Sequence, residues 1–287
     1  MLDFLLKHEA VLRTSVFLGT LAAMALWELR APRRALVASK SQRWLANLGI
    51  VVLDSLIVRW TMPLLPVSLA LICAERGWGV MNILALPIWL EFVLSVVVLD
   101  FVVYLQHVMF HAVPGLWRLH MVHHSDMDLD VTSGNRFHPI EILLSVVIKL
   151  AAVMVLGPSA AAVVAFEMIL NGMAQFNHSN VIIPARVERL LRLFVVTPDM
   201  HKVHHSIEPN ETNSNFGFNL PWWDRLLGTY RAAPRTPIPQ MTIGLSQFRD
   251  PQALTLGRLL LLPITGSRGR YAINARFGKK GEEKTQD

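Results

Sequence analysis

Cysteine is all but missing, with Cys73 the only one in 287 residues. One thiol excludes an internal disulfide, a cysteine-based zinc site and an iron–sulfur cluster. Charge is scarce too: Asp, Glu, Lys and Arg make up 17% of the chain, against about 25% in a soluble globular domain. With 53% hydrophobic residues and a mean hydropathy of +0.40, the composition is that of a membrane protein. HExxH is absent, which argues against a zinc metalloprotease. There is no glycine-rich phosphate loop, no G-x-G-x-x-G after a strand, no CxxCH haem signature and no internal repeat. The first fourteen residues lack a basic stretch, an apolar run and a small-residue cleavage site, so no cleavable signal peptide is expected. Net charge is +6; in a membrane protein that excess marks cytosolic loops facing anionic lipid, and no nucleic-acid partner is expected.

What the chain does have is histidine, eleven in all. The stretch 107–124 reads HVMFHAVPGLWRLHMVHH and holds His107, His111, His120, His123 and His124. A second HxxHH follows at His201, His204 and His205, with His138 and His178 between the blocks; only His8 stands apart. Helical spacings of three and four place the imidazoles of each block side by side, the way a helix offers two ligands to one ion.

The apolar segments place these blocks. Residues 14–29 form a first run, short for a span and stopped by the basic RAPRR at 30–34. Residues 45–74 are apolar but interrupted by Asp54, Arg59, Pro63 and Pro66; a kinked tilted helix and an interfacial segment plus a short span both fit. A clear span at 83–105 runs straight into the histidines, with Asp100, Tyr104, His107 and His111 on one stripe. Asp100 and Tyr104 are the candidate catalytic residues: a carboxylate inside a span commonly serves a functional partner, either a ligand imidazole or Tyr104. The alternative is a helix-packing hydrogen bond. Residues 125–138 read as a loop. Beyond it, Gly157-Pro158 divides 139–176 into a helical hairpin, which returns His138 and His178 to one membrane face. Glu167, Asn171, Gln175 and His178 make a polar stripe expected to face the bundle interior. Basic residues crowd 30–43 and 186–202, while the 75–82 turn holds only Arg76 and the 157–158 turn none. The positive-inside rule puts the histidines on the cytosolic side. The tail beyond Ser267, with Lys279 and Lys280, is polar and is expected to be disordered.

Eight to ten imidazoles exceed one ion's four to six ligands, so two metals are expected. All-nitrogen ligation suits iron, zinc, copper or nickel. A redox pair beside apolar helices points to oxygen activation on a lipid chain. A membrane metal-binding or transport protein and a zinc-dependent lipid hydrolase or isomerase remain the alternatives; transport would want ligands at mid-span.

The ordered motifs HxxxH (107–111), HxxHH (120–124), FHPIE (137–141), NHSN (177–180), HxxHH (201–205) and NFGFNLPWWDRLLGTY (215–230) resemble the sterol desaturase/fatty acid hydroxylase superfamily, most closely its unassigned bacterial branch. The resemblance covers roughly residues 95–232. It implies an all-α polytopic integral membrane bundle with a cytosolic histidine-rich helical cap: membrane segments over 1–82, a catalytic domain over 83–232 and a basic tail over 233–287. It also implies a di-iron oxygenase that hydroxylates or desaturates a lipid, with zinc able to replace iron in purified protein. Carried over by position, His107, His111, His120, His123, His124, His201, His204 and His205 match the three histidine boxes, and His138 and His178 match auxiliary histidines. Nothing in the chain carries its own electrons, so a reductase or ferredoxin-like donor is expected. The expected location is a bacterial inner membrane. In the last motif, Trp222, Trp223 and Tyr230 fit a channel mouth or interfacial anchors, and Asn215 and Asn219 fit ligand orientation or turn chemistry. Asp199 fits an imidazole partner or a helix N-cap.

Overall fold

A computed structural model describes residues 2–84, 86–251 and 255–273. These residues are helical throughout, and their β pairing is confined to two isolated bridges, Pro32 with Val181 and Ser206 with Ile243. The chain opens with α1 (Leu2–Lys7) and α2 (Glu9–Arg30). The second apolar run resolves into two helices, α3 (Lys40–Thr61) and α4 (Pro66–Arg76). Pro63 and Pro66 separate them, since proline cannot continue a helix but starts one readily. A short α5 (Val80–Leu84) leads into α6 (Ile88–Ala112), which carries the first histidine pair, and Pro114 starts α7 (Pro114–His124) at once. The hairpin follows as α8 (Pro139–Leu156) and α9 (Ala160–His178). Gly157 takes the left-handed conformation (φ 63°) that closes α8, and Ser159 caps α9 by accepting from Ala162 N–H. Beyond it lie α10 (Ala185–Leu191), α11 (Pro198–His204), α12 (Pro209–Thr212), α13 (Trp222–Leu226) and α14 (Leu256–Thr265).

Among the described residues, four stretches are long and apolar enough to cross a membrane: Glu9–Arg30, Lys40–Leu84, Ile88–Ala112 and Pro139–Leu156. The chain is a helical membrane bundle. α9, the expected second arm of the hairpin, is not among the four. It is the inner helix, packed by α2, α4, α6 and α11, so it can keep polar residues that lipid would not tolerate. Glu167, Gln175 and His178 are buried there.

Residues 125–138 are a loop as expected, but an interior one: every residue from Ser125 to Gly134 is buried. Their polarity is met by Arg43 of α3, itself fully buried. Its guanidinium donates to Asp126 Oδ1 at 2.6 Å, Asp130 Oδ2 at 2.7 Å and Ser133 Oγ at 2.9 Å. Burial alone would raise the Asp126 carboxyl, but Arg43 and Arg136 outweigh it and hold it well below the usual range. Arg136 also donates to Val122 O and Ser125 Oγ, which ties the loop to the end of α7.

The segment after residue 233, expected as a tail and disordered beyond Ser267, folds back as far as residue 273. Leu245, Leu259, Leu262 and Tyr271 join Trp117 and Met121 of α7 in one apolar cluster. Tyr271 Oη donates to Ile207 O at 2.9 Å, and Trp117 Nε1 donates to Arg268 O at 3.0 Å. Burial of these apolar side chains outweighs the polar character of their neighbours. Lys279 and Lys280 lie outside the described residues.

Replacing Arg43 with Ala leaves Asp126 and Asp130 buried beside an uncompensated gap. Loss of one partner from a buried ion pair costs about 3–5 kcal/mol. The thermal midpoint in detergent should fall steeply for Arg43→Ala; a midpoint equal to wild type would show the network to be dispensable.

Candidate metal centre

Helix geometry decides how the histidines divide. Residues four apart point the same way on a helix, whereas neighbours diverge by about 100°. His107 with His111, and His120 with His124, therefore converge as pairs, and His204 joins them in one group of five. His201 pairs with His205 and meets His123 and His178 in a second group of four. Within each group the candidate ligand atoms lie within 4.8 Å of one another, and all nine side chains are buried. Each HxxHH thus serves both groups: the adjacent pairs 123/124 and 204/205 send one ring each way. The spacing alone suggests one face per block; the structure splits each block between two positions.

The first group is anchored from behind. His107 Nδ1 donates to Phe216 O at 2.8 Å, His111 Nδ1 to Asn213 Oδ1 at 3.1 Å and His204 Nδ1 to Ser214 O at 2.8 Å. His120 Nδ1 donates to Glu141 Oε1 at 2.6 Å. A carbonyl can only accept, so Nδ1 of His107 and His204 must carry the proton and Nε2 the lone pair. The Nε2 atoms of His107, His111, His120, His124 and His204 are all buried with no hydrogen-bond partner. Five orphaned lone pairs facing one point are unfavourable in a protein interior unless a cation sits among them.

In the second group the Nε2 atoms themselves converge. His178 lies 3.1 Å from His123 and 3.0 Å from His201, and His201 lies 3.2 Å from His205. Nitrogens each about 2.0–2.1 Å from a shared ion stand about 2.9–3.4 Å apart, so these spacings suit common ligation. His178 Nδ1 donates to Ala174 O at 2.7 Å, leaving its Nε2 bare. Lys202, between the two histidines of α11, donates to Ser179 O at 2.8 Å and fastens α11 to α9; burial brings its ammonium down to about 8. Burial, reinforced by neighbouring imidazoles, holds His123, His124, His201, His204 and His205 well below the ordinary histidine value. Burial pushes His120 down to about 3. The rings are therefore neutral and able to ligate.

His138 stands apart from both groups. Its Nδ1 accepts from Ile140 N–H at 3.2 Å as the cap of α8, and its Nε2 donates to Leu260 O at 3.2 Å. Both nitrogens are used, so no lone pair is left for a metal. Asp100 touches no imidazole and does not orient Tyr104. It accepts from Trp223 Nε1 at 2.8 Å and from the N–H groups of Asn219 and Leu220, so it holds the 219–223 segment against α6. Tyr104 Oη is hydrogen-bonded to Thr229 Oγ1 at 2.9 Å. Asp199 caps nothing, because Thr197 does that; it pairs with Arg33 at 3.0 Å. Trp222 donates to Leu193 O at 2.7 Å and Trp223 to Asp100, and neither these two nor Tyr230 lines the cavity beside His107.

The long final motif acts as the scaffold behind the first group. Asn215 sits at φ 53°, a conformation asparagine tolerates better than most residues, and its side chain binds Met200 O and Arg231 O. Asp224 accepts from Phe216 and Gly217 N–H. A Cβ at Gly217 would lie 2.7 Å from Asp224 Oδ2, so glycine is required for that approach. Glu141 and Asn213 escaped the sequence reading. The glutamate was visible in FHPIE, one turn into a helix starting beside the boxes, whereas nothing local marks Asn213.

A cavity of about 710 Å³ opens from His107, His120 and Phe218. Apolar walls from Val51, Val58, Val103, Val146 and Leu170 alternate with polar groups along it. Glu141, Ser145 and Lys149 step down one face of α8, ending where Lys149 and Arg13 both bind Glu167.

The imidazoles set a pH dependence. Unfolded histidines take up protons near 6.5, whereas folded His120 does so only at about 3. Between these values the unfolded chain binds more protons, so the stability contribution is full above 6.5 and is lost as pH falls toward 3. Thermal midpoints of the metal-free protein in detergent should decline through this window. A flat profile would mean that the rings are not buried and neutral.

Residues 92–229 match the family model described as fatty acid hydroxylase. Among curated proteins, the chain is 33% identical over 149 residues to ornithine lipid hydroxylase OlsE of Rhizobium tropici, covering 52% of this chain and 44% of that one. It is 29% identical over 150 residues to alkylglycerol monooxygenase of Homo sapiens, covering 52% and 32%. The Xenopus tropicalis alkylglycerol monooxygenase is 30% identical over 132 residues, covering 46% and 28%. The chain thus spans less than half the length of these relatives. No solved structure matches it. Both histidine groups lie inside the matched segment, and it is this segment that belongs to the fatty acid hydroxylase family.

Proposed function

We propose that the chain is a membrane-bound lipid hydroxylase whose nine clustered histidines hold two irons, one in each group. The observation that carries this reading is the set of five buried, unpartnered Nε2 atoms, two of which belong to His107 and His120 in the lining of an amphipathic cavity. Iron held there supplies the activation of dioxygen. The residues around it do the rest. Glu141 and the 213–216 segment fix four rings of the first group, and the phenyl rings of Phe110, Phe137 and Phe218 line the cavity against His107 and His120. His138, with both nitrogens engaged, is a helix cap and stands outside the ligand set. The 83–232 unit is the catalytic domain, supported on one side by Arg43 and on the other by α14.

Insertion of one oxygen atom into a C–H bond consumes dioxygen, two electrons and two protons, and releases water. A chain with one cysteine and no haem or nicotinamide motif takes those electrons from a separate protein. The exposed Arg186 and Arg189 of α10, near Arg192, Arg231 and Arg235, suit an acidic donor. Full-length protein in nanodiscs, loaded anaerobically with ferrous iron, should bind two irons per chain. Given oxygen and a donor system, it should add one oxygen atom to a lipid read by mass spectrometry. His204→Ala should abolish turnover, Glu141→Ala should weaken metal binding or activity by about 10–100-fold, and His138→Ala should keep its metal. One iron or none, loss of two hydrogens instead of gain of oxygen, or sustained turnover on nicotinamide alone would each overturn the corresponding part of this reading.

The orientation we propose places the centre at the cytosolic face of a bacterial inner membrane. Arg33 joins the basic 30–43 loop to Asp199 of α11, and its N–H donates to Asn180 O at 2.9 Å, so that loop and the centre share one side. In a Cys73→Ala background, Ser39→Cys and Glu208→Cys should label together from the cytosol and Arg76→Cys from the opposite side. Labelling of Ser39→Cys and Glu208→Cys from opposite sides would refute the arrangement.

A further inference from the structure

One carboxyl group in the cavity has no partner. Asp54, on α3, lines the cavity and is 7% exposed, yet its Oδ1 makes no hydrogen bond. The other carboxylates along the cavity each have a partner: Glu141 has His120 at Oε1, though its Oε2 is free, Glu167 has Lys149 and Arg13, and Glu9 has Arg13. A further acceptor is left over on α6. Gln106 donates its Nε2 to Ser145 Oγ at 3.1 Å, which fixes the amide and leaves Oε1 buried and unpartnered.

A buried acceptor without a donor is destabilising, and an unpaired carboxyl in a membrane bundle more so. Gln106 braces α6 against α8 through its Nε2 alone, and neither leftover oxygen contributes to a helix contact. Both line the same cavity, and α3 and α6 both pack on α8. A saturated acyl chain lying there would leave both oxygens unsatisfied, and a carboxylate head would bring further acceptors to a site that needs donors. An N–H or O–H donor would satisfy both.

We propose that Asp54, with Gln106, is a specificity site that seats a hydrogen-bond-donating group of the lipid substrate, an ammonium or a hydroxyl, inside the cavity. The inference rests on the cavity being the lipid site of the proposed hydroxylase. It means that the substrate's polar part enters the bundle with its chain. The opposite charge balance, at Arg13 and Lys149, lies about 12 Å along α8 from Glu141, at about 1.5 Å per residue.

Binding of radiolabelled dodecylammonium, dodecanol and dodecanoate to the full chain in nanodiscs, counted above empty discs, tests this. Wild type should bind the two donors about tenfold or more tighter than dodecanoate, as expected for one charged or buried hydrogen bond. Asp54→Leu should remove that preference. Asp54→Asn, nearly isosteric, should weaken dodecylammonium more than dodecanol. Metal content should be unchanged in both, because Asp54 touches no histidine. Val58→Trp, which fills the cavity, should reduce binding of all three. Absence of a preference in wild type, or its survival in Asp54→Leu, overturns the role of Asp54 and leaves the lipid cavity standing. Binding of all three probes that is indifferent to Val58→Trp overturns the cavity reading and this inference with it.

Discussion

Nine neutral imidazoles in one dry interior impose a demand on both nitrogens of every ring. The nitrogen facing inward must keep a lone pair, and a ring keeps it on a chosen side only when its other nitrogen has an acceptor for its proton. Much of the local structure around the boxes answers that demand. The 213–216 segment turns through a left-handed Asn215 so that a side-chain amide and two main-chain carbonyls face three rings from the same side. Glu141 does the same for a fourth ring from α8, and Ala174 O for His178 from within α9. Asp224 and Gly217 then hold the turn that holds the rings.

The first two histidine boxes and the third come from opposite ends of the matched segment, and something must keep them in register. Two polar devices do so. Arg43 and the 126–130 aspartates lock the loop after α7 into the interior. Lys202 ties α11 to the end of α9. Both are buried charges, Arg43 held by several partners and Lys202 by one carbonyl, and such an arrangement contributes little net stability but penalises any displaced packing heavily. The apolar cluster of Trp117, Met121, Leu259 and Tyr271 closes the same region from outside.

The cavity gives this rigidity a use. It begins at His107 and His120 and runs between α3, α6, α8 and α9 with apolar walls and a polar stripe. A lipid with a polar group matches that lining better than a bare hydrocarbon does, and its match to a lipid is consistent with the relatives named as lipid hydroxylase and monooxygenases.

Composition and spacing by themselves determined that this is a helical membrane protein, that helices turn over at Pro139 and Gly157, and that the histidines fall into blocks at helical spacing. These are local properties, set by hydropathy, proline and glycine geometry and the helical repeat. Where local signals were ambiguous, packing decided. Nothing in the 125–138 loop marks it as interior, because its partner, Arg43, lies more than eighty residues away. His138 is a candidate ligand because its motif resembles the family's auxiliary histidines, and only the position of Leu260 O shows its second nitrogen to be taken. Asp100 reads as a partner for its own helical stripe, yet it reaches across to Trp223. The division of each HxxHH between two positions follows from which helix faces which ring, a relation between segments that no spacing along one segment contains.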